Sequence, residues 1–265
     1  MGTAFTWRRY GSSYGGGSVK RHLPAAKGYA KRCHDRTGYL TPAGKLPSVT
    51  TIVGATKSDQ AKAALAAWKE RNAQLPEGLQ MAAANRGTYT HTQAENWILA
   101  RQPELRDDLP GGTREVDLPG VAQRVAWGAY WQSLRGYLEA NFHSALAIEK
   151  PIWHPAGFSG TFDCMGWTYN STEVALFDWK TRGSNTRRLD PEGEQVRGYQ
   201  VQLAAYRAGI AWTYDIAVDH AHLVIAYANQ EPQVIEMDKG LLADCEAEFF
   251  DRLQRYQMEH LHVVA

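Results

Sequence analysis

Gly160-Thr161-Phe162-Asp163-Cys164-Met165-Gly166 is followed, after a short interval, by Val174-Ala175-Leu176-Phe177-Asp178-Trp179-Lys180. Both stretches read as β-strands, and each carries ionised groups where buried apolar residues are expected. Asn170-Ser171 between them reads as a turn, which folds the two into an antiparallel hairpin. Pairing residue 169 with 172 places Asp163 opposite Asp178. Directly opposed Cβ atoms lie roughly 4.5–5.5 Å apart, where like charges repel unless something compensates them. A divalent cation would do so. Lys180 lies two residues beyond Asp178, hence on the same face, so two carboxylates and an ammonium converge. A slip of one residue in the loop would undo that pairing. The competing reading is a salt-bridged pair on a solvated face. Val174, Leu176, Phe177 and Trp179 weigh against it, because they make both faces apolar, as in a central strand covered on each side. Buried charge without a partner or a metal is costly.

The chain has 265 residues, 44% hydrophobic and 22% charged, which suits one elaborated α/β domain with a sizeable core. No apolar run is long enough to cross a bilayer, and the first residues hold no signal-peptide core, so an intracellular, cytoplasmic protein with no membrane partner is expected. Cys33, Cys164 and Cys245 form no metal-binding pair and are expected to be reduced structural thiols. The net charge of +1 says nothing about nucleic acid, but its distribution does. Residues 1–50 hold nine Lys and Arg against Asp35 alone, which leaves the remaining chain net acidic. A basic, partly disordered arm over residues 1–45 suits contact with a phosphate backbone, and equally a solvated tail.

Outward from the hairpin, Leu46 to Val53 reads as a short β-rich or helix-entry segment, followed by a helix from Ala61 to Glu70. A further helix runs through His91 and Glu95 to about Arg101. His91, Ala94, Glu95 and Ile98 share one stripe of it. The imidazole is either a hydrogen-bonded core group or a ligand, and the choice turns on whether the helix packs over the hairpin. A long aromatic-rich helix is expected over 121–142, then a strand over 145–153 in which Glu149 either reaches the acids or sits at an edge. Thr181, Arg182, Arg187 and Arg188 follow the hairpin, where arginine can grip phosphate oxygens. A helix from Glu194 to Gly209 places Tyr199, Gln202, Leu203 and Tyr206 on one stripe. Strands over 216–228 and 233–237 and an amphipathic helix over 241–258 complete the chain.

These pieces resemble the PD-(D/E)XK nuclease superfamily in its RecB-like exonuclease branch. The branch pattern is a helix with Gly-x-x-x-His-x-x-x-Glu, strands with Gly-x-x-Asp and Asp-x-Lys, and a helix with Gln-x-x-x-Tyr. The chain has Gly87, His91 and Glu95, then Gly160 and Asp163, then Asp178-Trp179-Lys180, then Gln202 and Tyr206, in that order. Leu46-Pro47-Ser48-Val49-Thr50-Thr51-Ile52 is similar to a segment ahead of the core in the mitochondrial genome maintenance exonuclease and its phage relatives. The resemblance spans residues 46–230, and it implies a restriction-endonuclease-like core. That core is a central mixed sheet flanked by helices over 145–237, with an N-terminal helical elaboration over 57–142, all in one domain of residues 46–265. It implies Mg²⁺ or Mn²⁺ held by His91, Asp163, Asp178 and the main-chain carbonyl of Trp179. Lys180 would orient or deprotonate the attacking water, with Glu95 as a further catalytic group. Gln202 and Tyr206, with Thr181, Arg182, Arg187 and Arg188, would touch nucleic acid, and Glu149 and Tyr199 would be accessory. Cluster-bearing members of the branch need four cysteines, so no iron-sulfur cluster is expected. The expected activity is metal-dependent hydrolysis of DNA from a free end, in replication, recombination or repair, in a bacterial or phage-infected cell. An endonuclease of the same fold and a non-catalytic DNA-binding protein are the alternatives.

Overall fold

The strand that holds Asp178 runs through the middle of the main sheet, which is why its sequence is apolar on both faces. The computed structural model describes residues 22–33, 38–73, 82–106, 121–183 and 188–261. A small sheet comes first, with β1 (Lys31–Arg32), β2 (Tyr39–Thr41) and β3 (Gly44–Leu46), all antiparallel. Helices α1 (Val49–Ala55), α2 (Asp59–Asn72), α3 (Ala82–Arg101) and α4 (Val121–Asn141) follow, with a 3₁₀ turn at Pro103–Arg106. The main sheet uses β4 (Phe142–His154), β5 (Phe158–Thr168), β6 (Ala175–Arg182), β7 (His220–Tyr227) and β8 (Gln233–Met237), in that spatial order. Helix α5 (Glu194–Tyr214) crosses between β6 and β7, and α6 (Lys239–Leu261) ends the described chain.

All neighbours in the main sheet are antiparallel except β6 and β7, which are parallel along their whole length. A parallel pair needs a crossover rather than a hairpin, and α5 supplies it. The fold is therefore α/β, a mixed five-stranded sheet flanked by helices on both faces. On one face α1, α5 and α6 close over Phe158, Phe162, Leu176, Leu223 and Ile225. On the other, α3 and α4 close over Cys164, Phe177, Trp179, Val224 and Ala226. Each fully buried Leu, Ile or Phe contributes about 1.5–3 kcal/mol. Two such layers outweigh the several kcal/mol lost for each ion taken out of water at the site described below.

The arm expected over residues 1–45 carries structure from residue 22 onward, including all of β1 and β2, while residues 1–21 lie outside the described chain. The segment from Leu46 resolves into a strand end, a bridge from Ser48 to Ser159, and a helix. The Ser48 hydroxyl accepts from the Thr51 N–H at 3.1 Å, which caps an orphan donor and starts α1. Ser58 caps α2 in the same way, and its own N–H and hydroxyl donate to the Glu194 carboxylate at 3.0 and 2.7 Å. That contact joins α2 to the first turn of α5. Among the described residues, no helix is long and apolar enough to cross a membrane.

A candidate metal centre where two strands part

Pairing between β5 and β6 runs from Gly166↔Ala175 to Cys164↔Phe177 and goes no further. This is the register expected from the turn, and its continuation sets Asp163 against Asp178. Beyond the last pair, side chains take over from the ladder. The Trp179 N–H donates to Asp163 Oδ2 at 2.8 Å. The Trp179 carbonyl accepts from His91 Nε2 at 2.7 Å. A carbonyl only accepts, so Nε2 carries the proton there, and in the neutral ring Nδ1 keeps a free lone pair.

The strands bend at the same place. Phe162 and Cys164 lie two residues apart, a spacing that puts side chains on one face of a regular strand, yet they belong to cores on opposite faces of the sheet. Ile148 and Ile152 break the alternation likewise in β4. Between them Glu149 has φ 49°, a left-handed conformation that costs a non-glycine residue on the order of 1–3 kcal/mol. The result is convergence. His91, Glu149 and Asp163 each offer one ligand atom within 4.8 Å of the others.

Asp178 and Lys180 lie beside this group. The Asp178 side chain is only 1% exposed. Its Oδ1 accepts from Gln202 Nε2 at 3.1 Å, and Gln202 donates also to the Tyr206 hydroxyl at 3.2 Å. Lys180 Nζ lies 2.5 Å from Asp178 Oδ2 as an ion pair. The Lys180 ammonium also sits 5.3 Å from the centre of the Tyr199 ring. Gly160 makes room for this wall, since a Cβ there would stand 2.7 Å from Tyr206 Cε1.

The charges are mutually adjusted. Burial disfavours the His91 imidazolium, but the Asp163 charge 3.5 Å away, with a smaller share from Glu149, outweighs it and pushes the pKa up to about 9. Burial alone would raise Asp163, but His91, Lys180 and the Trp179 N–H hold it below the usual carboxylate value. Asp178 is raised, by burial first and by Asp163, against the pull of Lys180. Burial disfavours the Lys180 ammonium, yet Asp178 and Asp163 more than offset it and raise its pKa.

One imidazole nitrogen and two carboxylates make a donor set that can hold a metal ion, while the Trp179 carbonyl, expected with them, accepts from His91 Nε2. Glu149, which the sequence left between an edge and the site, belongs to the converging group. Asp178, also expected as a ligand, pairs with Lys180 and Gln202 beside the converging three, because its side chain projects to the α5 face while His91 reaches in from α3. Glu95 is half-buried one turn beyond His91 and outside the converging three.

Gln202 and Tyr206, expected to touch nucleic acid, are buried and bonded to Asp178 and to each other, because their stripe of α5 packs on the sheet. Thr181 accepts from Arg86 Nε at 3.2 Å. Arg182 is half-buried, and its Nε has no hydrogen-bond partner among the described residues. Arg188 donates to the Glu231 carbonyl at 3.0 Å, and Arg187 lies outside the described residues. Two residues at the site carried no sequence signal. Arg86 braces Thr181 while its guanidinium lies 4.7 Å from the Tyr130 ring centre. Tyr39 shares a hydrogen bond of 2.9 Å with Thr161, across more than a hundred residues of chain.

No protein-family model matches the chain, and no curated protein is similar to it. Among solved structures, the crystal structure of SSO0001 is similar at 16% identity, covering 62% of this chain and 74% of that one with a TM-score of 0.26. An overlap that loose carries no argument about fold or activity.

Proposed function

We propose that the chain is a Mg²⁺- or Mn²⁺-dependent deoxyribonuclease that hydrolyses phosphodiester bonds from a DNA end. The observation that carries this reading is the meeting of His91, Glu149 and Asp163 beside the Asp178–Lys180 ion pair where β5 and β6 part. The order of these residues along the chain resembles that of the PD-(D/E)XK nucleases, and the mixed sheet suits that architecture. His91 Nδ1, Glu149 and Asp163 would hold the ion, with Asp178 Oδ2 able to complete the set. Carboxylate and water ligands suit Mg²⁺ and Mn²⁺, and the imidazole tilts the preference towards Mn²⁺. When bound, such an ion relieves phosphoryl charge and makes a bound water more acidic.

The protein's own groups supply the rest. Lys180, with its pKa raised, is an ammonium at neutral pH. In that state it donates to the attacking water and to a phosphoryl oxygen, and it does not act as the base. Gln202 keeps Asp178 turned towards Lys180, and Tyr206 holds Gln202. Arg182, whose buried Nε is unpaired among the described residues, is the next cation along β6 after Lys180 for a neighbouring phosphate.

End-labelled single- and double-stranded DNA incubated with Mg²⁺, Mn²⁺ or EDTA tests the proposal. Digestion is expected with either metal and not with EDTA. Asp178→Ala and Lys180→Ala should each lower the rate by about 10²-fold or more, in line with loss of one preorganised electrostatic group. Full activity in either folded variant overturns the assignment, and cleavage of a covalently closed circle overturns the need for an end.

A further inference from the structure

Where β5 and β6 part, β5 loses much of the ladder that would hold it. Its pairing with β6 ends at Cys164. On the other edge Pro151 stands opposite Thr161, has no N–H to give, and offers its carbonyl to the Tyr214 hydroxyl at 2.8 Å. Between the pairs Lys150↔Phe162 and Ile148↔Cys164 lie Glu149, with φ 49°, and Asp163. Two of the three converging ligand residues thus sit in the stretch that the ladder holds least.

The chain before α1 takes over the edge that β6 leaves. Ser159 pairs with Trp153 of β4 on one side, and on the other Ser48 bridges to it as a parallel neighbour. The Ser159 N–H and hydroxyl both donate to the Pro47 carbonyl at 3.0 Å. Two residues further along β5, the Tyr39 hydroxyl shares a hydrogen bond of 2.9 Å with Thr161 Oγ1. Tyr39 is 4% exposed, which shields that bond from water. Asp163 follows Thr161 by two residues.

We propose that Tyr39 is a positioning residue of the metal centre: through Thr161 it holds the parted end of β5 at the bend that turns Asp163 towards His91 and Glu149. It acts through the strand and not on the ion. A tyrosine that only packed would give up its hydroxyl without consequence for the ion. The inference rests on the metal centre of the nuclease reading and not on hydrolysis, because ion binding is measured without DNA.

The test is titration calorimetry of the full chain with Mn²⁺, with the melting temperature in EDTA measured beside it. Y39F and T161V each remove one hydroxyl and keep the outline of the side chain. Each is expected to bind Mn²⁺ about tenfold more weakly, the low end for loss of a group that orients a metal ligand. Y39F/T161V should bind no more weakly than either alone, because both remove the same contact. T161S, which keeps the hydroxyl, should bind as the parent chain does. As a control, T213V removes a buried hydroxyl that accepts from the Trp153 N–H at 3.1 Å and donates to its carbonyl at 2.9 Å, further along β4. It should lower the melting temperature and leave Mn²⁺ affinity unchanged.

Parent-like affinity in Y39F and T161V, equal loss in T213V, or additive losses in the double variant overturns the proposal. Absence of Mn²⁺ binding by the parent chain overturns it too, and removes the centre with it. If Y39F does not fold, T161V against T161S decides. If both hydroxyl variants lose Mn²⁺ affinity while the parent chain hydrolyses no DNA, the nuclease reading fails and the role of Tyr39 stands.

Discussion

His91 and Asp163 hold opposite charges at 3.5 Å, and that pair makes the protein without metal sensitive to alkali. The folded pKa of His91, about 9, lies above its ordinary 6.5. Its contribution to stability is therefore fully present below about 6.5 and is lost as the pH rises through 9. In EDTA the melting temperature should fall between pH 7 and 10, and His91→Gln should flatten that fall. Metal affinity should move the opposite way over the same interval, because the ion takes the nitrogen that a proton otherwise holds. Titration calorimetry with Mn²⁺ at pH 7 and pH 9 measures it, and equal affinities would remove His91 from the ligand set. Gly160 supports a second prediction at this scale. A methyl group there meets the Tyr206 ring at 2.7 Å and Val49 Cγ2 at 3.6 Å. Gly160→Ala should cost about 1–3 kcal/mol in urea unfolding, the range for overpacking. It should also lower activity by displacing Tyr206, Gln202 and then Asp178.

At the scale of elements, the β5–β6 register was legible because a turn centred at Asn170-Ser171 leaves only one pairing for two strands of alternating side chains. The central place of β6 was legible from its two apolar faces. The long helices and most strands were likewise visible as periodic runs. The bend at Glu149 was not, because nothing local distinguishes a glutamate that adopts positive φ from one that continues a strand. That bend, shared with β5, is what turns Glu149 into a candidate ligand. The behaviour of Gln202 and Tyr206 was also hidden. A stripe of polar-tipped side chains on a helix has the same spacing whether it faces solvent or packs behind a buried carboxylate, and only the docking of α5 on the sheet decides. The small sheet escaped notice because its strands are only two or three residues long, too short for alternation to show.

For the whole molecule, an ion bound only by the folded chain should raise stability by mass action, by about 2.7 kcal/mol at a hundred times the dissociation constant. In a chain of this size that corresponds to roughly 5–10 °C in melting temperature. Thermal melts with Mn²⁺ against EDTA should show the rise, and Glu149→Gln or Asp163→Asn should abolish it. A Mn²⁺-independent melt would refute the centre. The candidate ligands are contributed by α3, β4 and β5, with Asp178 and Lys180 on β6 and Gln202 on α5, so the group assembles only once both layers have docked. The β5–β6 hairpin, by contrast, keeps its tip and its acids at opposite ends. Asn170 lies seven residue steps beyond Asp163, about 23 Å at the rise of an extended chain, and Tyr169, Asn170 and Ser171 are exposed. An epitope tag or a fluorophore spliced in after Asn170 would thus ride on the molecule as a handle, immobilising it or reporting its rotation while the working end stays untouched.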